Sequence, residues 1–526
     1  MRSLNPIEVD AAIGKWAAPP VEIETLPVKT EPREWTGIRR VLLSVFPFQV
    51  VLTLALMTLI FVMARHNISD PDIWWHLRNA DYLWTHHQLP RVDMYSFTVP
   101  GHSWINHEWL SEVPYYLAWR AFGLAGVNSV MLALLGVIFL GLLNLCYQET
   151  RNFKASVLAC AFGVFLATVS FGPRTILPGY LCMVVLLTIL QRVRLLGRAP
   201  LWLVPPLFCL WINLHGSWLL GMVVFSIIIA SGFVRGQWGI VEAQEWTPTQ
   251  KRALVVTWLA SVAALFINPF SYRLVFYPFD LAFRQKLNIA HVAEWVSVDF
   301  HQVRGKLVLI MLAVLLLSAL LRRMRWTLAE VALLLFALYS GLTYIRFLFL
   351  LAMVSTTLLA KLLDFVPPYR RELETPIVNT VVVLLTVSAL VWFWPRSAEL
   401  EQVVAKEYPT QIVPFLREHP PQGRVLNHYL WGGYIGWRDP DMKVFIDSRV
   451  DIFEYSGALQ DYLNLLAFKK PSELLDKYQI RYVLFPPSEP LTYLLQHDPE
   501  WKVIYSDSVC VLLERSSAVQ KLTPTR

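Results

Sequence analysis

Two aspartates one residue apart open the stretch "DPDIWWHL" at Asp70 and Asp72, and His76 follows Asp72 by four residues. On a helix that spacing puts Asp72 and His76 on one face. A carboxylate so placed can take a proton from an acceptor hydroxyl, and a histidine or arginine beside it can stabilise a leaving phosphate. Asp70-Pro71 has a simpler reading as a helix start, because Asp favours the N-cap and Pro the first turn. Asp72 is then the first candidate base and Asp70 the second. A further acidic stretch, "WINHEWLSEVPYYLAWRAFG" at 104–123, places Glu108 and Glu112 one turn apart behind Asn106, the expected N-cap. Glu108, flanked by His107 and Trp109, is the second acid, whereas Glu112 reads as a solvated face residue. Asp93, in the Pro- and Gly-rich piece between the two stretches, reads as a turn former.

Other polar residues interrupt or end apolar runs: Arg174 in "PRTILPGY", Asn213 and His215 in "NLHG", Arg273 in "INPFSYR", Glu294 in "AEW" and Arg346 in "TYIRF". With His76 and His107 they form the candidate substrate-binding set. A single arginine at a span end can equally be snorkelling to headgroups. No metal ligands are assigned: H-E-x-x-H is absent, and the histidines would be surplus to a carboxylate site for magnesium or manganese. A divalent cation is left open as a cofactor. Five cysteines, four of them in apolar runs, offer no disulfide or zinc spacing.

These residues must be positioned by a membrane protein. Of 526 residues, 55% are hydrophobic and only 16% charged. The formal charge of +7 is spread over short basic clusters, which speaks for membrane topology and against nucleic acid. Eleven apolar runs read as spans, near 41–64, 126–146, 155–172, 177–191, 201–212, 216–234, 253–268, 307–321, 326–342, 347–363 and 377–394. The stretch 201–234 is broken at Asn213 to Gly216, its only polar interruption. With residues 1–40 as a cytoplasmic tail, every short basic cluster falls on one side. Loops 65–125 and 269–306 and the segment 395–526 then lie outside, and the candidate residues share that face. Mid-span positions are almost free of Asp, Glu, Lys and Arg, unlike the pathway of an ion-coupled carrier.

From 395 onward short β-type runs at 424–427, 443–447 and 481–485 alternate with helical stretches, and "WKVIYSDSVCVLLER" reads as a closing hairpin. The expected fold is therefore an α-helical polytopic membrane domain at 41–394 followed by a small α/β outer domain. No nucleotide-binding glycine motif occurs. "WGGYIGW" at 431–437 reads as a glycine turn under an aromatic core, with close approach to a ligand as the alternative.

The first span, the outer loop opening with "DPDIWWHLRNADYLW", and then "SFT", "WINHEWLSE", "INPF" and "AEWVSVDF" together resemble a bacterial family of multi-span proteins. That family is grouped with the type C glycosyltransferases, which include protein O-mannosyltransferases, lipid A aminoarabinose transferase and the oligosaccharyltransferase catalytic subunit. Similarity to the bacterial family runs from 41 to about 515, including "WGGYIGW" and "VFIDSRVD"; to the characterised transferases it is confined to architecture and the acidic first loop. The resemblance implies sugar transfer from a polyprenyl phosphate or diphosphate, with Asp72, then Asp70, at the catalytic centre and Glu108 as a second acid. The acceptor would be a glycan, lipid or protein. The W-W-D-Y-G signature of oligosaccharyltransferases is absent, which argues against protein N-glycosylation. The alternative is a non-catalytic carrier or assembly partner for lipid-linked envelope glycans.

Overall fold

A computed structural model describes residues 37–68, 70–322 and 325–516. The expected tail falls outside the described residues as far as residue 36, as do Arg323 and Met324 of one basic cluster. In chain order the helical part comprises α1 (Ile38–Val45), α2 (Phe48–Ala64), α3 (Asp72–His86), α4 (Trp109–Thr150), α5 (Phe153–Ala167), α6 (Ile176–Leu196), α7 (Val204–Leu214) and α8 (Trp218–Ser231). It continues with α9 (Pro248–Ala264), α10 (Tyr272–Arg284), α11 (Lys286–His291), α12 (Val303–Arg322), α13 (Leu328–Thr343), α14 (Leu348–Leu362) and α15 (Pro376–Trp392). Short strands β1 (Gly236–Trp238), β2 (Val241–Ala243) and β3 (Trp326–Thr327) form a small sheet between α8 and α13.

The apolar runs read as spans are mainly helical, but 41–64 is divided between α1 and α2 at Phe46-Pro47 and 326–342 opens on β3. Among the described residues four segments are long and apolar enough to cross a membrane: Trp109–Thr150, Phe153–Ser170, Ile176–Leu196 and Ile345–Phe365. Pro376–Trp392 qualifies together with α16 (Ser397–Val404), from which it is bent by 58°. Phe48–Ala64, Leu201–Leu214, Trp218–Ser231 and Leu328–Thr343 are apolar but shorter. The 42-residue α4 is two helices in one, kinked at Gly123 with φ 60°. Outward-facing Val256, Ile310, Leu316 and Leu385 are all more than half exposed, as suits a surface solvated by lipid rather than water.

The C-terminal part adds α17 (Ile412–Glu418), β4 (Arg424–Asn427), α18 (Gly432–Arg438), α19 (Val450–Tyr455), α20 (Ala458–Leu466) and α21 (Pro471–Lys477). It ends with β5 (Ile480–Phe485), α22 (Pro490–Gln496), β6 (Trp501–Ser506) and β7 (Val511–Arg515). Its sheet has the order β4-β5-β7-β6, parallel only between β4 and β5. The run 443–447 is not a strand: Val444 makes a single bridge, to Ser96 of the first loop. The first loop occupies that edge, and Asp447 turns to an ion pair instead.

"WGGYIGW" is not a turn but mainly the short helix α18, packed on the start of α3. A Cβ on Gly432 would lie 2.0 Å from the Ile446 carbonyl oxygen, and one on Gly433 would lie 3.2 Å from that of Pro71. The close approach that glycine permits here is to backbone. Trp74 meets Tyr434 edge-on at 4.9 Å between ring centres. The first half of α3, with Trp74, Trp75 and Leu77 buried, is thus enclosed by protein rather than lying on a membrane surface.

Candidate active site

Asp70 makes the turn into α3. Its Oδ1 accepts the Asp72 backbone N–H at 2.9 Å, while the helix itself starts at Asp72 with Pro71, not Asp70, in the N-cap position. Asp72 is the first residue of α3, and its Oδ1 accepts the Trp75 indole N–H at 3.1 Å, a donor shared with Ser448 Oγ at 3.1 Å. One turn on, His76 Nδ1 lies 3.0 Å from Glu112 Oε1, and its Nε2 lies 3.4 Å from Glu108 Oε2. Glu108 immediately precedes α4. Its Oε1 is met by His215 Nε2 at 3.1 Å and by His107 Nε2 at 3.4 Å.

Asp70, Asp72, His76, Glu108, Arg174, His215, Glu294 and Arg346 line one cleft with Thr175 and Ile176. Residues more than 270 positions apart in sequence are gathered there by the turns between helices. Arg174, between α5 and α6, pairs with both Asp70 and Glu294 and is neutralised by them. Arg346, just before α14, lies 4.3 Å from the centre of the Trp295 ring. Among the described residues no carboxylate pairs with it, so its charge is available to a ligand.

Burial, reinforced by the Asp70 charge, pushes the Asp72 carboxyl up to about 6. Glu108 goes the other way: against burial, the charge of His107 and hydrogen bonds from His107 and His215 hold it well below the usual range. Burial lowers His215, whose Nδ1 accepts the Ser217 backbone N–H at 2.9 Å and so carries no proton. For His76, burial is outweighed by the Glu112 hydrogen bond and the charges of Glu108, Glu112 and Asp72, and its pKa rises. The site therefore holds a carboxylate poised near neutrality, a firmly ionised one, and a fixed cation.

Three candidates lie elsewhere. His107 touches Glu108 from behind, its ring 4.5 Å from that of Tyr277. Asn213 is spent on structure, accepting the Trp109 indole N–H at 3.0 Å and donating to the Cys209 and Ile267 carbonyls. Arg273 is exposed and donates to Ser103 Oγ at 2.9 Å. Two helix readings also change. Asn106 does not cap α4, which begins at Trp109; its Oδ1 accepts the Glu108 N–H and its Nδ2 donates to Glu112. Glu112 is not solvated but 1% exposed, ringed by His76, Asn79 and Asn106. Asn79, three residues after His76 on the same helical face, was the signal available in the sequence. Among the described residues no group of three or more His, Cys, Asp or Glu is arranged to hold a metal ion.

The fold is similar to that of solved archaeal oligosaccharyltransferases, and the chain is an integral membrane protein. It is similar to an Archaeoglobus fulgidus oligosaccharyltransferase tethered with an acceptor peptide, at 13% identity and TM-score 0.52, over 84% of this chain and 70% of that one. It is similar too to the AglB oligosaccharyltransferase from Archaeoglobus fulgidus in complex with an inhibitory peptide and a dolichol-phosphate, at 10% identity and TM-score 0.53, over 83% and 69%. ArnT from Cupriavidus metallidurans bound to undecaprenyl phosphate aligns at 12% identity and TM-score 0.49, over 90% and 98%. No protein-family model matches the chain, and no curated protein matches it in sequence.

Proposed function

We propose that this protein is a membrane glycosyltransferase that moves a sugar from a polyprenyl-phosphate donor to an acceptor hydroxyl at the outer membrane face, with Asp72 as general base. The observation that carries this reading is Asp72, the first residue of α3, in one cleft with Arg346, a guanidinium with no carboxylate partner among the described residues. Asp72 takes the acceptor hydroxyl proton as that oxygen bonds to the anomeric carbon. The bond from that carbon to the phosphate oxygen breaks, and its electron pair leaves with the phosphate, stabilised by Arg346. Asp70, with Arg174, fixes the start of α3 and so aims Asp72. Glu108, kept ionised, is suited to orient the acceptor hydroxyl. A dolichol-phosphate in a protein of this fold supports a lipid-phosphate donor. The positive-inside distribution supports a cytoplasmic N-terminus, with the 395–526 segment and the cleft outside a bacterial inner membrane.

Complementation of a chromosomal deletion tests the reading. Asp72→Asn, confirmed by immunoblot to reach the membrane, restores nothing; full restoration by that variant would leave the protein without a base at this position.

A further inference from the structure

Glu112 is a buried carboxylate beside the cleft with no part in the transfer step. Its side chain is 1% exposed, yet it accepts from Asn79 Nδ2 at 3.1 Å and from Asn106 Nδ2 at 3.0 Å on each oxygen. The Asn106 amide is fixed that way round, because its Oδ1 accepts the Glu108 backbone N–H at 3.2 Å. Burial raises the Glu112 pKa, and the donors that converge on it draw it back toward the ionised form.

The two histidines that meet Glu108 differ in what their other nitrogen does. His215 Nδ1 accepts a backbone N–H, so His215 carries one proton, on Nε2. His76 has a carboxylate at each nitrogen, Glu112 at 3.0 Å and Glu108 at 3.4 Å. A lone pair facing either carboxylate would be repelled, so both nitrogens carry protons.

We infer that Glu112 is a positioning residue: it holds His76 as an imidazolium, and that charge, one helical turn from Asp72, keeps Asp72 ionised at neutral pH so that it can serve as the base. The inference rests on the reading of Asp72 given above. Asp72 is faced by Asp70 beside it, by Glu108 ahead of α4, and by Arg174 and Arg346 ahead of α6 and α14. Ser448, Tyr408 and Tyr429 face it from the C-terminal part. His76 is faced by Asp72, Glu108, Glu112 and His107. Burial and Asp70 raise the Asp72 pKa, and the His76 charge is the foremost influence drawing it back. Arg174 also faces Asp72, while it is paired with Asp70 and Glu294.

The experiment reads Asp72 directly. The full-length protein in detergent is treated across pH 4.5–8.5 with dicyclohexylcarbodiimide, which captures protonated carboxyls, and labelling at Asp72 is followed by peptide mass spectrometry. The wild-type midpoint falls near 6. Glu112→Gln and His76→Gln each move it upward by about one pH unit, and Glu112→Asp, which keeps the charge, recovers most of that shift. Should Glu112→Gln fail to accumulate, His76→Gln decides. A midpoint that stays put in the glutamine variants overturns the inference while leaving Asp72 as base intact. Transfer at the wild-type rate by Asp72→Asn removes the base instead, so the two failures are distinguishable.

Discussion

Arg449 of the C-terminal part reaches Asp93 of the first loop at 2.7 Å, with both side chains shut off from solvent. Asp447 accepts from the same nitrogen, Nη2, at 2.6 Å and from Nε at 2.9 Å, while the Tyr95 and Trp104 rings lie within 5 Å of the guanidinium. Asp93 meanwhile still forms its turn, accepting the Tyr95 and Ser96 backbone N–H groups. The loop that carries the cleft is thereby tied to the C-terminal sheet and helices.

Removing Arg449 leaves two buried carboxylates without their cation. Arg449→Met should cost about 3–5 kcal/mol, read as a large drop in unfolding temperature in detergent, whereas an exposed exchange such as Arg273→Gln should cost under about 0.5 kcal/mol. Equal losses in the two variants would contradict the tie.

Asp72 should be held at the expense of stability. Its folded pKa of about 6 lies above its reference value of 3.8, so the folded state binds that proton more tightly than the unfolded chain. Its favourable contribution is complete below about 3.8 and is lost as pH rises through about 6. Asp72→Asn mimics the protonated form. It should therefore unfold at a higher temperature than wild type at pH 7.5, with the difference closing near pH 4.

Arg346 and Arg174 should part company in ligand binding. Arg346→Gln removes the unpaired cation and should weaken binding of a polyprenyl phosphate by about 10- to 100-fold, the worth of a charge-assisted hydrogen bond. Arg174→Gln leaves that cation in place and should chiefly lower the unfolding temperature, by freeing Asp70 and Glu294. Titration of detergent-solubilised protein with the lipid separates the two.

Gly432 allows α18 to lie against the backbone at Ile446, where a Cβ would stand 2.0 Å from a carbonyl oxygen. Gly432→Ala must push α18 away from the backbone at Ile446 and Asp447 and so shift the helix that packs on the start of α3, and transfer should fall by tenfold or more. Gly197→Ala, at a helix end with nothing within 4 Å, should leave transfer near the wild-type rate and act only through its backbone, as a small loss of stability.

Local order near the cleft was legible in the sequence. A helix start beside Asp70-Pro71, the helix through His76, and the break between α7 and α8 at Asn213 to Gly216 follow from capping chemistry and hydropathy, which act over a few residues. What stayed hidden depends on long-range docking. Glu112 lies one turn from Glu108, a spacing typical of a solvated face, and only the approach of α3 with His76 and Asn79 buries it. The run Lys443 to Asp447 has strand chemistry, but the first loop makes only one ladder bridge with it, at Val444. Polar residues at apolar run ends pointed to the cleft because such positions cluster at one end of a helix bundle. The same rule swept in Asn213 and Arg273, whose partners are a tryptophan, two carbonyls and a serine.

The central claim, that Asp72 is the base in transfer from a polyprenyl phosphate, is tested most directly with inner-membrane vesicles. Vesicles carrying equal amounts of wild-type or Asp72→Asn protein are charged with radiolabelled polyprenyl-phosphate sugar, and release of label from the lipid fraction into acceptor is timed between pH 5 and 8. Wild-type transfer should rise about tenfold per pH unit up to about 6 and then level, and Asp72→Asn should be slower by about 10²- to 10⁴-fold at pH 7.5. Transfer by Asp72→Asn at the wild-type rate would contradict the account.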